Sequence, residues 1–261
     1  MSLLVRTWNV FHGNASPPER RDYLEEMVRL ASEDRPDVLC LQELPVWALS
    51  RLEDWSGMRA FGAVAARPLL GSAELGRAIT ELNHGLFRSM CTGQANAILL
   101  RTELRPLATD SIVLNPPGFR RRVARELGLD TRLRFKWAKE RRVCQAVRTD
   151  ALTVATLHDS SLHDWRIPDA ELMRAAVFAD SVAEPDNVLV LAGDFNVIRE
   201  HSRTLEQLAS PEWGFTKPIS WIDQVLVRGA PSGHAQRWPE ERRRRGGKLL
   251  SDHAPVEVRI E

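Results

Sequence analysis

The chain has 261 residues, 43% hydrophobic and 27% charged, with a formal net charge of +1. That is an ordinary globular composition, which excludes a disordered, fibrous or membrane-embedded chain, and the near-neutral balance gives no global field for drawing in polyanions. Three scattered cysteines, Cys40, Cys91 and Cys144, offer neither a disulfide framework nor a metal-ligand spacing.

In chain order, Met1 to Val5 enters a strand at once, with no basic region, apolar signal segment or cleavage site, so a cytoplasmic protein is expected. No apolar run approaches the ~18 residues of a membrane span. The first strand, Leu3 to Trp8, ends at Asn9. Ser16-Pro17-Pro18-Glu19 has the form of a capping box with proline at the first helical position, and the helix expected behind it carries Leu24, Met27, Val28 and Ala31 at helical spacing. Asp37 to Gln42 is a buried-type strand with Cys40 as a core filler, and Ala97 to Leu100 is another. Val143–Arg148 and Leu152–Leu157 read as a hairpin around Thr149-Asp150-Ala151. The stripe Leu172, Ala175, Ala176, Ala179, Val182 marks a helix over Pro168–Ala183. Strands at Ile222–Val227 and Pro255–Ile260 close the chain. Segments 62–96, 115–142 and 230–250 are poor in strand signal and read as loops around a site mouth. Strands and helices are mixed, which makes the class α/β.

The chemistry concentrates in Leu189-Val190-Leu191-Ala192-Gly193-Asp194-Phe195-Asn196. A buried-type strand runs out into a glycine, then presents a carboxylate and a carboxamide two residues apart, and side chains at i and i+2 of an extended segment point the same way. Further short motifs accompany it in order: Thr7-Trp8-Asn9, Leu41-Gln42-Glu43, Leu157-His158, Trp221-Ile222-Asp223 and Ser251-Asp252-His253-Ala254-Pro255-Val256. Site motifs at both ends of the chain argue for a single domain over 1–261, because the termini must meet to complete the site. Glu43 ends an apolar strand, where a free carboxylate is costly. His253 has an ordinary pKa close to neutrality, suited to proton transfer or phosphate stabilisation.

The ordered set, from Asn9 to Val256, resembles the endonuclease/exonuclease/phosphatase superfamily, which includes pancreatic-type deoxyribonucleases, sphingomyelinases and inositol-phosphate 5-phosphatases. The resemblance implies a four-layer sandwich of two packed β-sheets flanked by helices. It implies phosphoester hydrolysis by in-line water attack, with Mg²⁺ (or Mn²⁺) as cofactor. Glu43 is then the principal metal ligand, Asn9 touches the metal shell or a phosphate oxygen, and Asp252 stands near the metal. Asp194 orients or deprotonates the attacking water, Asn196 donates to a phosphoryl oxygen, and His253 pairs with Asp223. Whether His253 or Asp194 takes the proton of water stays open. His158 is a general acid or phosphate contact, as in the deoxyribonuclease-like branch. Asn96, in Gly93-Gln94-Ala95-Asn96-Ala97-Ile98-Leu99, supports the site on the substrate side. Two features depart from the abasic-site branch. The Asp it carries two residues after the first Asn is Phe11 here, with His12 one place out of register, and its mid-chain tyrosine is missing, since Tyr23 is the only tyrosine.

For the substrate, Phe119–Arg142 holds ten Lys/Arg against three Asp/Glu, interleaved with Phe119, Phe135 and Trp137. It reads either as a cationic flap over the site, with Arg141 and Arg142 binding substrate, or as a solvated helix face whose apolar members dock on the body. Arg242 to Arg245 and Lys248 form a second basic cluster. Trp8 and Trp221 flank site motifs and are expected to pack beneath them. The leading expectation is a nuclease acting on DNA or RNA. The alternatives are a phosphatase or phosphodiesterase on inositol phosphates, lipids or nucleotides, and a non-catalytic binding member. No protein partner follows from the sequence.

Overall fold

The computed structural model describes residues 2–68, 73–82, 91–185 and 187–261. The first half runs β1 (Leu3–Asn9), β2 (Ala15–Ser16), α1 (Leu24–Ser32), β3 (Val38–Leu44), α2 (Leu52–Ser56), β4 (Arg59–Ala66), α3 (Ala73–Leu82) and β5 (Gln94–Leu100). The second half begins with β6 (Pro106–Val113), α4 (Pro117–Glu126), α5 (Thr131–Lys139), β7 (Val143–Thr149), β8 (Leu152–His158), α6 (Arg166–Val182) and β9 (Val188–Asp194). It ends with α7 (Arg203–Leu208), β10 (Asp223–Arg228), β11 (Gln236–Arg237), β12 (Arg244–Arg245), β13 (Lys248–Leu250) and β14 (Val256–Ile260).

One sheet has the order β11-β14-β1-β3-β5-β4 and the other β10-β9-β8-β7-β6. Alternation along the strands sorts the apolar side chains into three layers of contact. Val5, Val38, Cys40 and Ile98 from the first sheet meet Val154, Val190, Ala192 and Val225 from the second, forming the core between them. Trp8, Leu39 and Leu41 face the other way, onto Leu24, Met27 and Val28 of α1. Leu189, Leu191 and Leu157 likewise face Leu172, Ala175 and Ala179 of α6. The result is the four-layer sandwich, with helices on both outer faces. The hairpin β7–β8 is antiparallel as expected, and Cys40 is fully buried.

Several expectations are corrected. Ser16 pairs with Leu249 in a small third sheet, so the capping box does not form; α1 starts at Leu24, and Tyr23 precedes it. Of the supposed loops, 115–142 folds as the helix pair α4 and α5, and 62–96 contains most of β4, all of α3 and the start of β5. Residues 69–72 and 83–90 of that segment lie outside the described residues. Segment 230–250 contributes three short strands. Four of the five cations of the Arg242–Lys248 cluster have acidic neighbours. Arg242 pairs with Asp34 and Glu257, Arg244 with Glu240, Arg245 with Glu33 and Lys248 with Glu19.

Candidate active site

The inward-facing side chains of four strands change from apolar to polar at the same end of the sandwich. On β1 the series is Val5, Thr7, Asn9; on β8 it is Val154, Thr156, His158. On β9 it is Val190, Ala192, Asp194, and β10 begins at Asp223 before Val225 and Val227. Strand register brings His158 and Asp223 to either side of Asp194. Gly193 permits that register, because a Cβ there would collide with the carbonyl oxygen of Leu157. Below the site, Gln42 donates to Thr7 at 3.0 Å and to Thr156 at 2.9 Å, tying the two sheets together.

Glu43 does not follow this alternation. Between Leu41 and Leu44, β3 carries one residue more than its partner β5, and Glu43 sits in that bulge with φ of 56°. The bulge re-aims its carboxylate toward the other sheet, a common use of bulges beside active sites. Asn9 Nδ2 bridges to Glu43 Oε1 at 3.2 Å and Asp194 Oδ2 at 3.0 Å, while its Oδ1 accepts from Phe11 N–H at 3.0 Å. His158 Nε2 lies 3.7 Å from Glu43 Oε1 and 3.5 Å from Asp194 Oδ2. His12 Nε2 lies 3.6 Å from Glu43 Oε2. Burial pushes the Glu43 carboxyl up from its ordinary value, against the pull of His253 and Arg142.

The two imidazoles of the motifs differ in state. His158 Nδ1 stands 3.2 Å from Arg142 Nη1 and 3.1 Å from Gln94 Nε2. A guanidinium only donates, so Nδ1 is the acceptor and the hydrogen is on Nε2. Burial and then the Arg142 charge hold this imidazole well below its ordinary pKa, and it is neutral. His253 Nδ1 lies 2.9 Å from Asp223 Oδ2, and its Nε2 lies 3.8 Å from Asp194 Oδ2. Burial works against charge on His253, but the hydrogen bond and charge of Asp223 outweigh it and raise the pKa to about 10. Burial raises Asp223 to about 6 although His253 opposes the shift. At neutral pH the pair is imidazolium and carboxylate.

Several other site residues occupy unexpected positions. Asn196 has φ of 49°, so the chain is no longer extended there and its side chain does not align with Asp194. Its backbone N–H donates to Asp194 Oδ1 at 3.0 Å and its amide to Asp159 O at 2.9 Å. Asp252 is at the rim, half-exposed, 4.0 Å from His253 Nε2. Asn96 is buried and donates to Val143 O at 3.1 Å, which ties the sheets together. Arg142 is also buried, fixed by Glu140 Oε2 at 2.9 Å, whereas Arg141 is exposed. Trp8 is buried and donates to His253 O at 3.0 Å, but Trp221 is 40% exposed beneath Arg237. Arg243 was hidden in its arginine run. Its Nη1 donates to the carbonyls of Leu250, Ser251 and His253, holding the loop that carries the imidazolium.

A cleft of about 700 Å³ opens beside Glu43, lined by His12, Arg67, Gln94, Lys139, Glu140, Arg141 and Arg142 among others. Asp194, Asp223 and His253 offer ligand-type atoms within 4.8 Å of one another, but the last two are already joined. Among the described residues, Glu43 has no Arg or Lys at ion-pair distance and is bracketed by two imidazoles. A partly buried carboxylate without a fixed cation suits a hard or borderline divalent ion.

The sequence model of the Endonuclease/Exonuclease/phosphatase family matches residues 7–253. The chain belongs to this family. Endonuclease/Exonuclease/phosphatase members are phosphoesterases, generally dependent on a divalent metal. An endonuclease/exonuclease/phosphatase from Beutenbergia cavernae is 16% identical with a TM-score of 0.65, covering 100% of this chain and 71% of the other. TDP2 from Caenorhabditis elegans is 16% identical with a TM-score of 0.60, covering 100% and 74%. The mannosyl-6-phosphatase Bt3783 of Bacteroides thetaiotaomicron is 14% identical with a TM-score of 0.61, covering 99% of each chain. At these identities the likeness is one of fold. No curated protein matches the chain. No helix among the described residues is long and apolar enough to cross a membrane.

Proposed function

We propose that this protein hydrolyses a phosphodiester of a nucleic acid, using one water molecule and a bound divalent cation, Mg²⁺ or Mn²⁺. The observation that carries the reading is the convergence of Glu43, Asp194 and the His253–Asp223 pair around the amide of Asn9. Glu43 would hold the cation, with Asp252 approaching from the rim, and Asn9 would align the Glu43 and Asp194 carboxylates. When bound, the cation would polarise a phosphoryl oxygen and offset its developing charge.

In this reading the base is assigned by elimination. His158 has its single lone pair at Nδ1, facing Arg142, and His253 holds both protons at neutral pH. Asp194 is then the group that takes the proton of the attacking water. Its Oδ1 accepts from the Asn196 N–H and its Oδ2 from Asn9 Nδ2 at 3.0 Å, with His158 Nε2 at 3.5 Å and His253 Nε2 at 3.8 Å from Oδ2. The Nε2 atoms of both imidazoles flank Asp194 Oδ2, and in this reading they would donate to the equatorial oxygens as charge accumulates there. Asp223 keeps His253 charged for that role.

A nucleic acid is favoured by the basic end of α5 and the residues that follow it, which border the cleft. Lys139 and Arg141 line it, and Phe135 is 62% exposed with the Lys139 ammonium 4.3 Å from its ring centre, a platform for a base. A small phosphate ester is the second reading, because the cleft has the size of a small-molecule pocket. The mannosyl-6-phosphatase shares the fold.

The test is metal-dependent nicking of supercoiled plasmid beside phosphate release from sugar, inositol and nucleotide phosphates, for wild type and Asp194→Ala. The expected result is plasmid nicking by wild type, lowered at least ~10²-fold in the variant, the usual scale for removing an acid–base group. Nicking should weaken steeply with salt. Release from a small ester without nicking transfers the assignment to the second reading. Equal rates for Asp194→Ala and wild type overturn the catalytic scheme.

A further inference from the structure

The turn after Asn9 is unusual. Phe11 and His12 both have left-handed backbone conformations, with φ of 47° and 50°. Non-glycine residues adopt these uncommonly, a phenylalanine more rarely than a histidine, and such outliers cluster at functional sites. The turn is held by Asn9 Oδ1 accepting from Phe11 N–H at 3.0 Å, Gly13 N–H to Val10 O at 2.8 Å and Asn14 N–H to Phe11 O at 2.9 Å. Its effect is to swing the His12 imidazole, 8% exposed, against the free side of Glu43 at the wall of the cleft. Oε1 of Glu43 is engaged by Asn9 and neighbours His158, whereas Oε2 faces His12 Nε2 at 3.6 Å.

That separation is too long for a direct hydrogen bond. It suits two atoms bound to one ion: ligands about 2.1 Å from a common centre stand roughly 3.0–3.7 Å apart at octahedral to trigonal angles. His158 brackets Glu43 from the other side but cannot ligate, because its lone pair faces Arg142. We propose that His12 is a direct ligand of the cation held by Glu43, and that the resulting nitrogen–oxygen site takes a transition-metal dication of the manganese-to-zinc series in preference to Mg²⁺. An imidazole nitrogen beside a carboxylate favours ions of the manganese-to-zinc series, whereas Mg²⁺ favours oxygen and water. This rests on the reading of Glu43 as the metal-holding carboxylate.

The experiment is Mn²⁺ titration by calorimetry with pulsed EPR of the loaded protein, set beside Mg²⁺ titration. The proteins are wild type, wild type labelled with ¹⁵N-histidine, His12→Asn and Glu43→Gln. Asparagine tolerates the left-handed backbone better than most residues, and an amide ligates through oxygen, so His12→Asn keeps the turn and removes the nitrogen. Wild type is expected to bind Mn²⁺ at least about tenfold more tightly than Mg²⁺, with a directly bound nitrogen that changes on ¹⁵N-histidine labelling. His12→Asn should lose both the nitrogen signal and the Mn²⁺ margin while Mg²⁺ affinity stays. Mn²⁺ bound at Glu43 with no histidine nitrogen, or a nitrogen that persists in His12→Asn, overturns the His12 assignment. Binding that ignores Glu43→Gln overturns instead the metal reading beneath it. The labelled wild type decides whether histidine ligates even if a variant does not fold.

Discussion

Asp159 lies one residue beyond His158, fully buried beneath the site, and neither of its carboxylate oxygens has a hydrogen-bond donor among the described residues. Burial, then the charges of Glu171 and Asp194, raise its pKa well above the ordinary value. A raised carboxyl pKa means that the folded state holds a proton which the unfolded chain releases near pH ~3.9. The contribution of Asp159 to stability is therefore greatest below that pH and declines as pH rises toward the folded pKa. Asp159→Asn keeps the shape and removes the titration. Its melting temperature should match or exceed wild type, with the difference widening from pH 5 to pH 8 and reaching about 2–4 °C for each kcal/mol gained. A variant less stable than wild type at pH 8 would mean that the native carboxylate is charged and solvated. Neighbouring residues differ in how legible they are. Asn9, His158, Asp194 and Asp223 continue apolar alternation, so sequence spacing finds them. Glu43 breaks that alternation through a bulge, and only its motif reveals it. Arg142 and Arg243 look like any surface arginine, because their burial depends on packing from distant segments.

The basic helices α4 and α5 are anchored by few apolar groups. Trp137 is buried among Val123, Ala124, Leu129 and Ile167, and its Nε1 donates to Glu171 Oε1 of α6 at 2.6 Å. Glu171 also receives the Ser160 N–H at 2.7 Å and hydroxyl at 2.9 Å, so one buried carboxyl joins α5, α6 and the loop after β8. Trp137→Phe retains an aromatic ring and removes that donor. The expected loss is about 1–3 kcal/mol, the cost of leaving a buried acceptor short of a partner, read by urea denaturation. Hydrogen exchange should accelerate first in Pro117–Lys139. Unchanged protection there would show that the helices are held by other contacts. The same sparse anchoring explains why this segment looks like a loop in sequence: Val123, Ala124 and Trp137 make no continuous stripe amid the arginines. β6 escapes sequence reading for a related reason. It is a largely exposed edge strand, so Thr109, Asp110 and Ser111 interrupt its apolar pattern. The central strands, buried on both faces, were legible because they are nearly continuous apolar runs.

At the scale of the molecule, the site belongs to neither sheet alone. Asn9 and Glu43 come from the first sheet, and His158, Asp194 and Asp223 from the second. The loop of His253 precedes β14, which pairs antiparallel with β1 from Leu3↔Ile260 to Thr7↔Val256. Opening either sheet from the other therefore dismantles the metal-holding and proton-accepting groups together. An ion at Glu43 stabilises the folded chain by mass action, about 2.7 kcal/mol at a hundredfold excess over its dissociation constant. For a chain near this size that corresponds to a rise of about 5–10 °C in melting temperature. Wild type in Mn²⁺ is expected to melt in one transition shifted upward by that amount. Chelation should return it to the metal-free value, and Glu43→Gln should show little shift at the same Mn²⁺ concentration. Two transitions, only one of which moves with metal, would contradict a single cooperative unit over 1–261. A single transition that moves as a whole is the outcome expected when both sheets close on one site.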